Sequence, residues 1–334
     1  MSEHPVLPPP SRDLPPGRHE FHKERLMTMI DEDTRTPAPA RGRRPLPLRP
    51  AFVLPGVALI VAGAVGVVVT RDGGGTSAPA AITEPAQFAD PHAGTTHGVI
   101  QLANRMALVA ATRKDTPAPA GGWVYVNSKT TDFFISENAD AGTSTPVATV
   151  SNRQTWMSLD GSKGWLIQGG IDQKKGGENL DGGAGPYFNA PSYNFLAELP
   201  TDPDALLARI YTETKGAGNG PDSEAFTTVG DLLVESYPPA ALYPALYRAA
   251  AKIPGVLVVD DAVDAAGHHG VALARVDELG VRDELIFDKK TYTFLGTRSV
   301  YTVDLGGIKA GTVKFSLSIL DRALVGAMKQ VPAT

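Results

Sequence analysis

The sequence predicts an α+β architecture: a single transmembrane helix followed by an extracellular domain with a large curved antiparallel sheet and helices on one face. Three observations carry this. Nineteen uncharged residues, Ala51 to Val69, follow a cluster of arginines. Downstream, the hydrophobic pattern is strand-like, then helical, then strand-like again, the order that segregates helices to one side of an antiparallel sheet. The 334 residues include no cysteine. Disulfides, thiolate metal sites and a Cys nucleophile are therefore excluded, and so is a lipid-modified N-terminal Cys as the anchor.

As a helix the apolar run is about 28 Å long, close to the hydrocarbon thickness of a bilayer, and it is apolar on every side. A removable signal has an apolar region of about 7–15 residues with a small-residue cleavage site close behind. Here Arg71, Asp72 and three glycines intervene before Ala78-Pro79-Ala80, so the run is expected to stay as an anchor with the lipid bilayer as its partner. Arg41, Arg43, Arg44 and Arg49 precede it and only Arg71 follows closely, which predicts a cytoplasmic N-terminus and an extracellular C-terminal domain. Residues 70–334 carry 22 Lys and Arg against 29 Asp and Glu. That balance argues against nucleic acid as a partner.

Composition divides the chain into a cytoplasmic segment (1–50), the span (51–69), a flexible extracellular tether rich in Gly, Ala, Pro and Thr (70–95) and the outer domain (96–334). Within the first segment an amphipathic helix is expected near residues 14–31, followed by a Pro/Arg-rich linker. Ser11 or Asp13 can cap it, Pro15 and Pro16 suit its first turn, and Phe21, Leu26, Met29 and Ile30 form a short apolar stripe. So few anchors leave the helix marginal alone in water, and it is expected to order on a cytosolic partner.

The outer domain opens with a helix over Thr96 to Arg113, whose Val99, Leu102, Ala103, Met106, Val109 and Ala110 share one face. Five runs rich in aromatic and β-branched residues read as strands: Trp123 to Asn127, Asp132 to Glu137, Val147 to Arg153, Gln154 to Leu159, and Gly164 to Gln168. Asp160-Gly161 supplies a hairpin turn. After a glycine-rich loop, Gly169 to Gly185, Asp202-Pro203 marks a capped helix start with Leu206, Leu207 and Ile210 inward. Phe226, Val229, Leu232 and Leu233 mark a second helix, and Leu242, Leu246, Ala249 and Ile253 a third, stopped by Pro254-Gly255. The chain then returns to five strands: Val256 to Asp260, Gly270 to Asp277, Asp283 to Phe287, Thr291 to Val303 and Thr312 to Leu320.

Chemistry-bearing motifs are sparse. Ser162 lies in "LDGSKGW", a hairpin tip rather than a nucleophile elbow. His268 and His269 are adjacent, point to opposite sides of any strand and read as a surface turn. Asp260, Asp261 and Asp264 lack the alternating spacing of a calcium loop and read as a solvated strand end. No catalytic residue, metal site or cofactor is expected. The aromatic content of the first sheet is the one concentration of interest. Trp123, Tyr125, Trp156 and Trp165 are either core between sheet and helices, or the lining of an apolar pocket for an extracellular lipid or peptide on the concave side.

"DLPPGRHEFHKERLM", "LPTDPDALLARIY", "AAKIPGVLVV" and "ELIFDKKTYTFLG" together resemble an uncharacterised family of single-pass membrane proteins from high-GC Gram-positive bacteria. The outer domain is similar in layout to the half-barrels of lipoprotein carriers and periplasmic sensors. The expected function is a non-enzymatic, membrane-anchored envelope sensor or signalling protein, anti-sigma-like, whose inner helix meets a cytosolic sigma factor or related regulator. The alternative is an envelope lipid or lipoprotein carrier or scaffold without a cytosolic role. Protease added to intact cells should remove the chain beyond Ala80 and leave residues 1–50 intact on an immunoblot, and Glu at positions 41, 43, 44 and 49 should scramble that protection.

Overall fold

The computed structural model describes residues 67–69, 82–138, 143–168, 177–181, 187–188 and 190–332, all within one compact unit, Gly56–Thr334. The segment expected to be cytoplasmic, with Phe21, Leu26, Met29 and Ile30, and the apolar run up to Gly66 lie outside the described residues. Among the described residues no helix is long and apolar enough to cross a membrane.

Among the described residues there are eleven strands: β1 (Val67–Val69), β2 (Ile82–Pro85), β3 (Trp123–Asn138), β4 (Thr143–Ser158), β5 (Lys163–Gln168), β6 (Glu178–Asp181), β7 (Val256–Val263), β8 (His269–Val276), β9 (Val281–Asp288), β10 (Phe294–Tyr301) and β11 (Val313–Val325). Nine of them form one open sheet in the order β6-β5-β4-β3-β11-β10-β9-β8-β7, every neighbouring pair antiparallel. The last strand in sequence therefore lies near the middle of the sheet, between the early hairpin and the late meander.

The four short strands expected between Trp123 and Leu159 are two strands of 16 residues each. No glycine or proline interrupts β3, and the polar residues 128–132 continue the alternation rather than breaking it. Pairing with β11 stops at Asp132 and pairing of β4 with β5 stops at Arg153, so the outer half of this hairpin runs on beyond its sheet neighbours. Its free sides are taken by β1, parallel to Ile135–Glu137, and by β2, antiparallel to Val147–Val150. The last three residues of the expected span are thus extended, as three consecutive β-branched valines favour.

The helices α1 (Val99–Ala110), α2 (Tyr193–Ala197), α3 (Pro203–Glu213), α4 (Pro221–Val234) and α5 (Tyr243–Lys252) cover one face of the sheet. Asp202 caps α3 by accepting from the amides of Asp204 and Ala205, with Pro203 opening the helix. The face of α1 is nearly the one expected, except that Ala107 is buried and Val109 is exposed. Leu206, Ile210, Leu232, Leu233 and Leu246 pack with Leu273, Leu285, Phe287 and Leu317 into the main core. Leu285 and Phe287 point from β9 toward the helices, so Arg282, Glu284 and Ile286 point to the other face.

That second face is also covered. Arg282 and Glu284 are each 1% exposed, and the Glu284 carboxylate accepts from Arg282 Nε and Arg298 Nε, both at 2.8 Å. The remaining guanidinium donors of Arg282 reach the carbonyls of Asp90, Pro91 and Ala93 at 2.9–3.1 Å. Ala89 donates to Gly311, Val313 donates to Gln87, and Thr95 bridges to Val258. Residues 82–95 are therefore part of the domain and not a tether. Their Gly/Ala/Pro composition is that of a linker, but a buried arginine supplies donors that their carbonyls satisfy. Removing one partner of a buried ion pair costs about 3–5 kcal/mol. Glu284→Gln leaves two arginines facing each other, and urea denaturation should read a loss of that size.

Candidate functional site

The four aromatic residues singled out from the sequence do come together. Tyr125 and Trp156 are each 1% exposed, their ring centroids 5.0 Å apart, and Trp123, Trp165, Ile167, Ala323 and Val325 complete the cluster. Its location differs from expectation. Arg322 donates to the Leu233 carbonyl of α4 at 2.7 Å and lies over the rings of Tyr237 and Tyr243, so it points toward the helices. Its neighbour Ala323, in register with Tyr125, points away from them. The aromatic cluster therefore sits on the face opposite the helices. Alternation reveals which side chains share a face, but not which face the helices will cover.

The C-terminal segment closes over these rings. Trp156 Nε1 donates to the Gln330 carbonyl at 2.7 Å, Lys329 Nζ lies 3.4 Å from the Trp165 ring centroid, and the Gln330 side chain accepts from the amides of Gly326 and Ala327. Tyr125 accepts from Gln154 Nε2 at 2.9 Å. The innermost rings thus have polar partners for their polar atoms and pack as a core.

The Asp-His turn after β7 is only partly a surface feature. His268 and His269 are exposed, as expected, but Asp264 is buried, which corrects its reading as part of a solvated strand end. Its carboxylate accepts from the amides of Ala266 and His268 and from Ser318 Oγ at 2.7 Å, and it lies 3.0 Å from His268 Nδ1. Ser, His and Asp are all present here, yet the order is wrong for nucleophilic catalysis. That chemistry needs the serine on the histidine and the histidine on the aspartate. Ser318 instead bonds the aspartate directly and is fully buried in the sheet, so Asp264 pins the turn to β11.

The polar feature that sequence reasoning missed lies between α4 and the sheet. A cavity of about 30 Å³ is lined by Phe226, Thr227, Asp231, Asp283, Leu285 and Ser299, among others, enough room for one or two waters. Gly230 lets α4 approach β9: a Cβ there would lie 3.1 Å from the Leu285 side chain. Glycine costs a helix interior about 1 kcal/mol relative to alanine, so its place beside an aspartate in "VGDLL" was the available signal for a close approach. Asp231 is nine-tenths buried, and its main-chain carbonyl accepts from the Glu235 amide at 2.9 Å. Asp283 accepts from Ser299 Oγ at 2.5 Å.

Burial pushes the Asp231 carboxyl well above the ordinary carboxylate range, and the nearby charges of Glu235, Glu224 and Asp283 push it the same way. Its position in the last turn of α4, at the negative end of the helix dipole, also disfavours charge. Burial raises Asp283 to about 6 against the pull of Ser299 and Lys314. The cavity thus brings together two carboxyl groups whose hold on a proton burial strengthens. Among the described residues no set of three His, Asp or Glu side chains can hold a metal ion. No protein-family model matches the chain, and no curated protein matches it.

Because the native state holds the Asp283 proton more tightly than the unfolded chain does, stability is fully present below pH 3.8 and is lost as pH rises through about 6. Asp231 extends the loss to higher pH. Denaturation midpoints measured across pH 4–7 should therefore fall with rising pH, and Asp283→Asn should flatten the fall.

Proposed function

We propose that the protein is a membrane-anchored, non-enzymatic sensor of the cell envelope, whose outer domain meets a ligand and whose inner helix holds a cytosolic sigma factor or related regulator. The observation that carries this reading is the junction between the apolar run and the sheet. β1 is formed by the last three residues of the run and pairs with the far end of β3, while β2 pairs with β4. An anchor stitched to the sheet in this way transmits a change in the sheet to the membrane segment, whereas a carrier on a loose tether has no use for such a joint.

With Val67–Val69 extended, the helical part of the span would be about 24 Å. Such a helix fits a bilayer that thins locally around it. The aromatic cluster adds support against lipid carriage, since its innermost rings are packed under the C-terminal segment and present no open apolar lining.

A pull-down with the full-length chain from detergent-solubilised membranes should recover one cytosolic regulator, and Leu26→Asp with Met29→Asp should abolish the recovery. Deleting residues 1–50 should change the transcription that the regulator controls. If nothing specific is recovered, transcription is unchanged and the chain instead takes up a fluorescent fatty acid, the carrier reading replaces the sensor.

A further inference from the structure

We propose that the outer face of the Trp165 ring is a binding site for a lysine-type alkylammonium group, and that residues 326–332 close it with the protein's own Lys329. This names the ligand class of the sensor proposed above and rests on that reading only for its biological use.

Three observations meet at this ring. Its face already holds an ammonium: Lys329 Nζ lies 3.4 Å from the ring centroid, well inside the range over which an indole face attracts a cation. The backbone that aims this side chain is strained. Lys329 has φ 69°, and it and Tyr292 are the two non-glycine residues with positive φ among the described residues. Such outliers persist where the surrounding structure over-determines them, and they cluster at ligand clamps. The ring edge carries an unused donor, since Trp165 Nε1 is buried without a hydrogen-bond partner among the described residues. The face is thus held by a group that can exchange, while the edge lacks the acceptor that a ligand can bring.

Lys329 can leave without unmaking the core. The residue is exposed and residues 326–332 form no helix or strand. Their fastenings are the bond from Trp156 Nε1 to the Gln330 carbonyl and those from the amides of Gly326 and Ala327 to the Gln330 side chain. None of them uses the Lys329 side chain, so its ammonium can swing away while Gln330 stays in place. Trp123, Ile167 and Ala323 are partly buried in the same cluster and offer apolar surface to the methylenes of an incoming stem. Charge favours the same ligand class: residues 70–334 carry 22 Lys and Arg against 29 Asp and Glu, so the domain attracts cations and repels anions. A lipid chain has no comparable seat, because Tyr125 and Trp156 are closed beneath the segment. The site also lies on the strand that meets the anchor. β3 carries Trp123 and Tyr125 at one end and, at the other, the residues that pair with β1.

The test uses the full-length chain in a maltoside detergent, whose headgroup carries no ammonium, at constant ionic strength. The three tryptophans of the chain all belong to this cluster, so tryptophan emission reports on it alone. n-Butylammonium chloride, equivalent to the free side chain of lysine, should change the emission in a saturable way, and calorimetric titration should give the same affinity. 1-Butanol, of similar shape and uncharged, should do neither. An occupant that covers the ring about nine-tenths of the time lowers the apparent affinity about tenfold. Lys329→Gly removes that occupant and accepts a positive φ, so it should bind n-butylammonium about tenfold more tightly than the parent. Trp165→Leu should melt cooperatively and lose the response. A peptide with blocked ends, acetyl-Ala-Lys-Ala-amide, separates the sources: a response to it makes lysyl peptides ligands, and a response to n-butylammonium alone restricts the site to free amines.

Equal responses to n-butylammonium and 1-butanol, or a Lys329→Gly variant that binds no more tightly than the parent, overturn the site and leave Lys329 as a fastening of the C-terminal segment. These outcomes are separable from failure of the sensor reading. A chain that binds n-butylammonium but recovers no regulator keeps the site and loses the signalling role, and the reverse result keeps the role and loses the site.

Discussion

The domain is organised around two buried arginines that share one glutamate. A charged side chain removed from water must find partners for all of its donors or lose several kcal/mol, and Glu284 satisfies only part of what Arg282 and Arg298 present. Arg282 completes its shell with main-chain carbonyls at 90–93. This requirement lays the N-terminal segment across the sheet, where Ala93 then packs with Ile286, Val259 and Ala272. Both faces of the sheet are consequently buried, one under helices and the other under chain with little secondary structure of its own.

The two faces differ in what they leave unresolved. On the helix-free face the buried polar groups at its centre are matched: Asp264 with Ser318 and the turn amides, Trp156 with the Gln330 carbonyl. On the helix face Thr228 Oγ1 and Tyr247 Oη are not. A protein interior rarely leaves such groups unpaired, and on the same face Gly230 lets α4 approach β9 closely enough to bury Asp231. The local cost is borne by a core that is otherwise well packed.

Much of this architecture was legible in the sequence. Asp202-Pro203 fixed the start of α3, Pro254-Gly255 the end of α5, and the alternating runs gave the strands of the late meander to within a few residues. The mixed order of strands and helices gave the α+β class. What could not be read follows from long-range partners. Residues 82–95 have no periodicity, because an arginine nearly two hundred residues away holds them by their carbonyls, which every sequence carries. The tryptophans were correctly grouped but assigned to the wrong side, since alternation is blind to which face a later helix covers. Nothing in the helical pattern of Phe226, Val229, Leu232 and Leu233 marks Asp231 as buried; its burial depends on how closely α4 approaches β9.

The central place of β11 has a consequence for the order of events in making the protein. Its residues leave the ribosome after those of every other strand described, yet they join β3 to β10. Until they arrive, the nascent chain can assemble the early hairpin and the late meander only as separate sheets, each with an open edge where the missing strand belongs. Unpaired edges are templates for pairing with other chains, and contacts between distant parts of a sequence form slowly. Completion of this sheet is thus deferred until the last of these strands has been made, and the chain depends during that interval on whatever keeps exposed strand edges apart.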